Sequence, residues 1–242
     1  METPTFRFDE AKHKYYLDDE LLPGVTTILG TLAKPALIQW AANCAVDFIQ
    51  VCVDEKLELT PELLKDARTA HAKKRDKAAD AGTDVHALIE IYIKSCIEAG
   101  GNAQGHLTNE LPQVSKFVDW AMTNKVMFHE SEKKLYSAVH KFAGTADFTA
   151  TIDGKLFVGD LKTTSGIYDL SPFLQCAAYQ IMLREIEDKE YIGSVIIRLG
   201  KDGAFEEFYR LDEQGEDRDT FLSLLGVYKA MARFKNANKI KK

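Results

Sequence analysis

The sequence predicts an α/β protein whose helices come first and whose sheet comes late. Three observations carry this. Apolar residues recur at helical spacing through most of the first 125 residues. Residues 126–161 are strand-rich, with an Asp-Gly turn signal at 153–154. A Ser-Pro pair at 171–172 then opens a helix, with two further strands and a last helix behind it. The expected order is a helical part over 1–125 and a β-β-β-α-β-β-α core over 126–242, within one compact domain. A chain of 242 residues, 45% hydrophobic and 28% charged, is long enough to bury one sizeable core.

Taken in order, Phe6-Arg-Phe8 and Tyr15-Tyr-Leu17 flank a polar turn and read as a short hairpin over 5–17. Pro23-Gly24 breaks the chain, and Thr26-Thr27 can open a short helix. Pro35 to about Val53 is amphipathic and helical, with Trp40 expected in the core. Thr60-Pro61 is a cap followed by proline at the first helical position. That helix is expected to reach about Ala81 and to end at Gly82. A separate helix follows from Thr83 to about Ala99, with Val85, Leu88, Ile89 and Tyr92 as its apolar stripe. Gly100-Gly101 to His106 reads as a connector, and 110–125 as a helix carrying Val114, Phe117, Val118 and Met122. The later segments are a helix at 172–187, strands at 193–199 and 204–211 across Asp202-Gly203, and a helix at about 216–235.

The Asp-Gly turn fixes a register. If Asp153 and Gly154 form a two-residue type I′ loop, Ile152 pairs with Lys155, and continuing the ladder sets Asp147 opposite Asp160. Directly opposed residues of an antiparallel pair share a face, with Cβ atoms about 4.5–5.5 Å apart. Lys162, two residues beyond Asp160, points the same way. Val158 and Leu156 share that face, while Phe148, Ala150, Ile152, Phe157 and Leu161 occupy the other, so the hairpin is expected to be buried on both sides. Two facing carboxylates repel unless a cation lies between them, and hard oxygen ligands suit Mg²⁺ or Mn²⁺. A lysine beside such a metal can stabilise developing negative charge and orient an attacking water.

These residues resemble the motifs of the PD-(D/E)xK nuclease superfamily, within it the RecB-like exonuclease branch that includes phage recombination nucleases, Cas4 proteins and the mitochondrial genome maintenance exonuclease. Gly144-Thr-Ala-Asp147 is similar to the family's G-x-x-D, Asp160-Leu-Lys162-Thr163 to its D-x-K-T, and Gln175-Cys-Ala-Ala-Tyr179 to its Q-x-x-x-Y. Gly82-Thr-Asp-Val-His86 resembles the G-x-x-x-H helix start, and Ser131-Glu132 leads the strand before the first aspartate. The resemblance implies a restriction-endonuclease-like core, a central mixed β-sheet flanked by helices, with the helical N-terminal part forming one wall of the active-site channel. It implies a Mg²⁺- or Mn²⁺-dependent DNA exonuclease of recombination, repair or phage DNA processing. Asp147, Asp160, His86 and the Leu161 carbonyl would hold the metal; Lys162, Glu132, Gln175 and Tyr179 would complete the catalytic set. Lys133, Lys134, Thr163 and Thr164 are expected to meet DNA. A single-strand annealing or recombinase protein is an expected partner. An endonuclease of the same fold, or a catalytically silent binding module, are the alternative readings.

Other features bound the reading. Cys44, Cys52, Cys96 and Cys176 lack cluster spacing, so no iron–sulfur cluster is expected, and they read as small buried residues of a reducing compartment. No run of about 18–20 consecutive apolar residues occurs and the N-terminus lacks a signal-peptide pattern, so a cytosolic protein with no membrane partner is expected. The net charge of −6 opposes broad nonspecific DNA binding and calls for local basic patches; Lys133-Lys134 is the best placed.

Overall fold

The computed structural model describes residues 4–105, 111–187, 189–200 and 203–239, with the side chains of 78–83 and 239 left aside. The chain divides into two compact units, one of residues 32–84 and the other of 1–31 with 85–242. The arrangement is α/β: β1 (Phe6–Asp9), β2 (Lys14–Leu17), β3 (Glu20–Leu22), α1 (Val25–Leu29), α2 (Pro35–Asp54), α3 (Pro61–Glu98) and α4 (Pro112–Thr123) come first. Then follow β4 (Met127–Ser137), β5 (Phe142–Ile152), β6 (Lys155–Lys162), α5 (Ser171–Glu187), β7 (Gly193–Leu199), β8 (Phe205–Leu211) and α6 (Glu216–Lys239). The β-β-β-α-β-β-α order of the second half is the expected one.

In the larger unit the main sheet has the order β4-β5-β6-β7-β8, with β6 and β7 parallel and every other pair antiparallel. The crossover from β6 to β7 runs through α5, as a parallel connection requires. Successive strand side chains alternate between faces. Phe148, Phe157, Leu161, Val195 and Ile197 join Val85, Ile89, Tyr92, Ile93, Phe117 and Trp120 of α3 and α4 in one apolar core. On the other face α5 packs along β4, β5, β6 and β7, with α1 and α6 beside it. The β5–β6 hairpin is therefore buried on both sides. Within it, Gly159 lies against the Phe148 ring, where a Cβ would meet Cζ at 2.0 Å. Gly159→Ala is expected to cost about 2 kcal/mol of stability by overpacking, read from the midpoint of urea denaturation.

The small sheet β1-β2-β3 has one strand more than the expected hairpin. Asp18 and Asp19 take φ of 48° and 63°, the left-handed pair that a two-residue turn between Leu17 and Glu20 needs. Aspartate tolerates that region, so Asp-Asp was the available signal. Tyr15, Leu17 and Leu22 pack on Ala143 of β5, and Gly24 bridges to Ala143 in parallel.

Two sequence expectations change. The helices expected on either side of Gly82 are one continuous helix from Pro61 to Glu98; a single internal glycine costs only about 1 kcal/mol, which a helix of ten turns absorbs. Trp40 is not a core residue. It is 37% exposed and meets His71 edge-on at 6.3 Å, because α2 buries only Cys44 and Cys52. That helix reaches a mean hydropathy of 1.4 over an 18-residue window and, by length and composition, is long enough to cross a membrane. Its apolar residues are interrupted by Gln39, Asn43, Asp47 and Gln50, so a search for consecutive apolar residues passes over it. All four cysteines are buried free thiols.

Candidate active site

The register drawn from the Asp-Gly turn holds along the hairpin. Ile152 pairs with Lys155, and the ladder continues to Phe148 opposite Gly159. The next step sets Asp147 beside Asp160, where the Leu161 N–H donates to Asp147 Oδ2 at 2.8 Å. The β4–β5 register, with Ser131 opposite Phe148 and Lys133 opposite Ala146, places Glu132 level with Asp147. Three carboxylates thus fall at one level on neighbouring strands. Glu132 stands there with a left-handed φ of 50°, a conformation that costs a non-glycine residue about 1 kcal/mol or more.

Asp160 is 1% exposed, and its Oδ1 has no hydrogen-bond partner. Its counter-charge is the Lys162 ammonium, 2.5 Å from Oδ2. Burial pushes the carboxyls of both Asp147 and Asp160 up to about 6. The Leu161 N–H and then Lys162 oppose this at Asp147; at Asp160 Lys162 opposes it and the charge of Asp147 adds to it. For Lys162 burial is the largest influence and acts downward, but Asp160 and Asp147 together carry the ammonium above its ordinary value. Burial, reinforced by Glu90, also raises Glu132.

Lys162 is held from the other side. Its Nζ donates to Gln175 Oε1 at 3.3 Å, and Gln175 Nε2 donates to the Tyr179 hydroxyl at 3.0 Å. Gln175 and Tyr179, one turn apart on α5, therefore act as a tether for the lysine. Gly144 makes room for this tether: a Cβ there would meet Tyr179 Cε1 at 2.7 Å. His86 on α3 feels Asp160 and Lys162, though burial dominates and pushes its imidazole down. The Gly82 of its sequence motif lies in the helix, among residues whose side chains are outside the described set. Beside Asp147 opens a cavity of about 530 Å³, lined by Glu132, Gly144, Thr145, Gln175 and Tyr179 and by residues of the small sheet and α1.

The residues expected to meet DNA are placed less uniformly. Lys133 is committed to Glu130 at 2.9 Å and to Glu187, which leaves Glu132, not Glu130, for the site. Lys134 is exposed and lies 5.6 Å from the Phe8 ring centroid. Thr163 and Thr164 leave β6 just past Lys162; the Thr164 hydroxyl donates to the Gly166 carbonyl at 3.0 Å. The Thr164 carbonyl accepts from Arg198 Nε at 2.9 Å. Arg198, 4% exposed and in register with Lys162 across the parallel β6–β7 pair, is a neighbour that sequence reasoning missed. Its signal was an arginine near the end of an otherwise apolar strand at 193–199.

Among the described residues no group of three or more His, Cys, Asp and Glu side chains is gathered tightly enough to hold a metal. A hard divalent cation needs less, since Mg²⁺ is commonly bound through one or two carboxylates with water and substrate phosphate completing its shell. The buried Asp160 carboxylate beside Asp147, with Oδ1 unpartnered and only Lys162 at Oδ2, is a donor of that kind.

No family model matches the chain, and no curated protein matches it. Among solved structures, the chain is similar to SSO0001 at 15% identity and a TM-score of 0.31, over 62% of this chain and 67% of that one.

Proposed function

We propose that this protein is a Mg²⁺- or Mn²⁺-dependent deoxyribonuclease with a restriction-endonuclease-like core, acting on DNA ends in recombination, repair or phage DNA processing. The observation that carries the reading is the buried Asp160 carboxylate, its Oδ1 without a partner and its Oδ2 paired to a tethered lysine, aligned with Asp147. A purely structural buried carboxylate would have both of its oxygens satisfied, and Oδ1 here is not. Asp147 and Asp160 would hold the cation, with His86 and the Leu161 carbonyl contributing. When bound, it would offset the carboxylate repulsion, polarise a phosphodiester and lower the pKa of water.

The chain's own residues do the rest. Lys162 keeps its proton at neutral pH, so it acts as a fixed positive donor. It orients the attacking water and stabilises the charge that develops on the phosphoryl oxygens. Gln175 Oε1 accepts one hydrogen bond from the Lys162 ammonium and thereby aims its other N–H groups into the site, while Tyr179 fixes the amide. Gly144→Ala is expected to lower turnover about tenfold by displacing Tyr179, and Tyr179→Phe to do the same without added bulk. Steady-state rates of both, compared with their thermal midpoints, check this.

The test uses end-labelled linear, single-stranded and closed circular DNA with Mg²⁺ or Mn²⁺, and EDTA as control. Loss of linear forms with the circle spared is the expected result. Cutting of the circle would make the enzyme an endonuclease, and no cleavage under either metal would overturn the proposal.

A further inference from the structure

The cavity beside Asp147 extends beyond the catalytic residues. Its far wall is made by Lys14 of the small sheet, Lys12 of the turn between β1 and β2, and Thr26 and Thr27 of α1. These residues do little for the fold. Among the described residues, the Lys14 ammonium has no carboxylate partner, the Thr26 and Thr27 hydroxyls make no hydrogen bond, and the Lys12 ammonium has only a 3.6 Å contact with Asp9. Yet the frame that carries them is firmly attached at the catalytic strand. The Tyr15 hydroxyl is 2.9 Å from Thr145 Oγ1, two residues from Asp147, and the Ala143 N–H donates to the Pro23 carbonyl at 3.0 Å.

Charge gives this wall a purpose. Glu132 and Asp147 at the near end repel a phosphate, and the whole chain carries −6. A polyanionic substrate can enter only where cations offset that field locally. Size restricts it further. The cleft, about 530 Å³, has room for roughly one or two nucleotides of a strand.

Building on the nuclease reading, we propose that β1–β3 and α1 form a backbone-binding subsite for an unpaired DNA strand, one or two linkages from the scissile phosphate. Lys14, with Lys12, offsets phosphate charge, and Thr26 and Thr27 donate hydrogen bonds to phosphate oxygens. The N-terminal sheet is thus part of the substrate site.

The experiment measures binding of a labelled single-stranded 12-mer by fluorescence anisotropy in EDTA, across 50–200 mM salt, on the full chain. Lys14→Ala is expected to weaken binding about fivefold and to flatten the slope of log Kd against log salt by about 0.7, one phosphate contact's worth on a single strand. Thr26→Val with Thr27→Val is expected to weaken binding similarly with the slope unchanged. Lys155→Ala, which removes the same charge from the exposed β5–β6 turn, is the control and should alter neither. The inference is overturned if Lys14→Ala and the threonine pair bind as the unaltered protein does, if Lys155→Ala costs as much, or if a blunt duplex binds more tightly than the single strand. If the unaltered protein cleaves DNA while these variants bind normally, only this subsite falls. If it neither binds nor cleaves, the nuclease reading falls and takes the subsite with it.

Discussion

Lys162→Ala is expected to lower metal-dependent DNA cleavage by about 10²–10⁴-fold, the range seen when a positioned proton donor or transition-state charge is removed. The size of the effect follows from the site's construction. The ammonium is drawn into a mostly buried position by Asp160 at 2.5 Å and tethered by Gln175, so no exposed lysine can substitute for it. The same variant leaves the Asp160 carboxylate without its cation, so metal-free stability should drop as well. Rates are therefore compared at a temperature where circular dichroism shows both proteins native. A loss of activity that tracked unfolding, and disappeared on cooling, would assign Lys162 a structural role.

The second large effect is a dependence of stability on pH that a divalent cation removes. Burial holds the Asp160 carboxyl at about 6 against an ordinary value of 3.8. A raised carboxyl binds its proton more tightly in the folded chain than in the unfolded one. Its contribution is therefore most favourable below the unfolded value, and it falls as pH rises through the folded value near 6. The shift corresponds to about 3 kcal/mol lost between pH 4 and pH 7 in the metal-free protein. Other groups titrate in this window, so the quantity to measure is the difference between the unaltered protein and Asp160→Asn. Urea denaturation at several pH values should show the unaltered protein losing ground to the variant as pH rises. Mn²⁺ or Mg²⁺ at neutral pH should restore it, and should not act on the variant. Equal pH profiles, or equal stabilisation of both proteins by metal, would contradict the account.

How much of this was legible in the sequence depends on the distance over which each signal acts. The β5–β6 register was readable because one Asp-Gly turn fixes every pair behind it, out to Phe148 and Gly159. The tether from Gln175 to Tyr179 was half legible: their spacing put them on one face of a helix, but only packing shows that the face meets Lys162. Arg198 stood out only as an arginine in an apolar strand; its place beside Lys162 depends on a parallel pairing across a helix, which no local pattern encodes. Lys133 looked like a DNA contact because it adjoins the site in sequence, whereas Glu187 at the far end of α5 engages it. The fusion of two expected helices into α3 shows the reverse error, in which a local breaker at Gly82 was given more weight than a long helix allows. The small sheet entered the reading only as a hairpin, because nothing local says that Thr145 anchors Tyr15 beside the site.

The most direct test of the central claim is the release of nucleotides from linear DNA by the unaltered protein and by Asp160→Asn, with Mn²⁺ at neutral pH. The account predicts cleavage by the first, none by the second, and complete inhibition by EDTA. Cleavage by Asp160→Asn at an undiminished rate, or cleavage that survives EDTA, would contradict it.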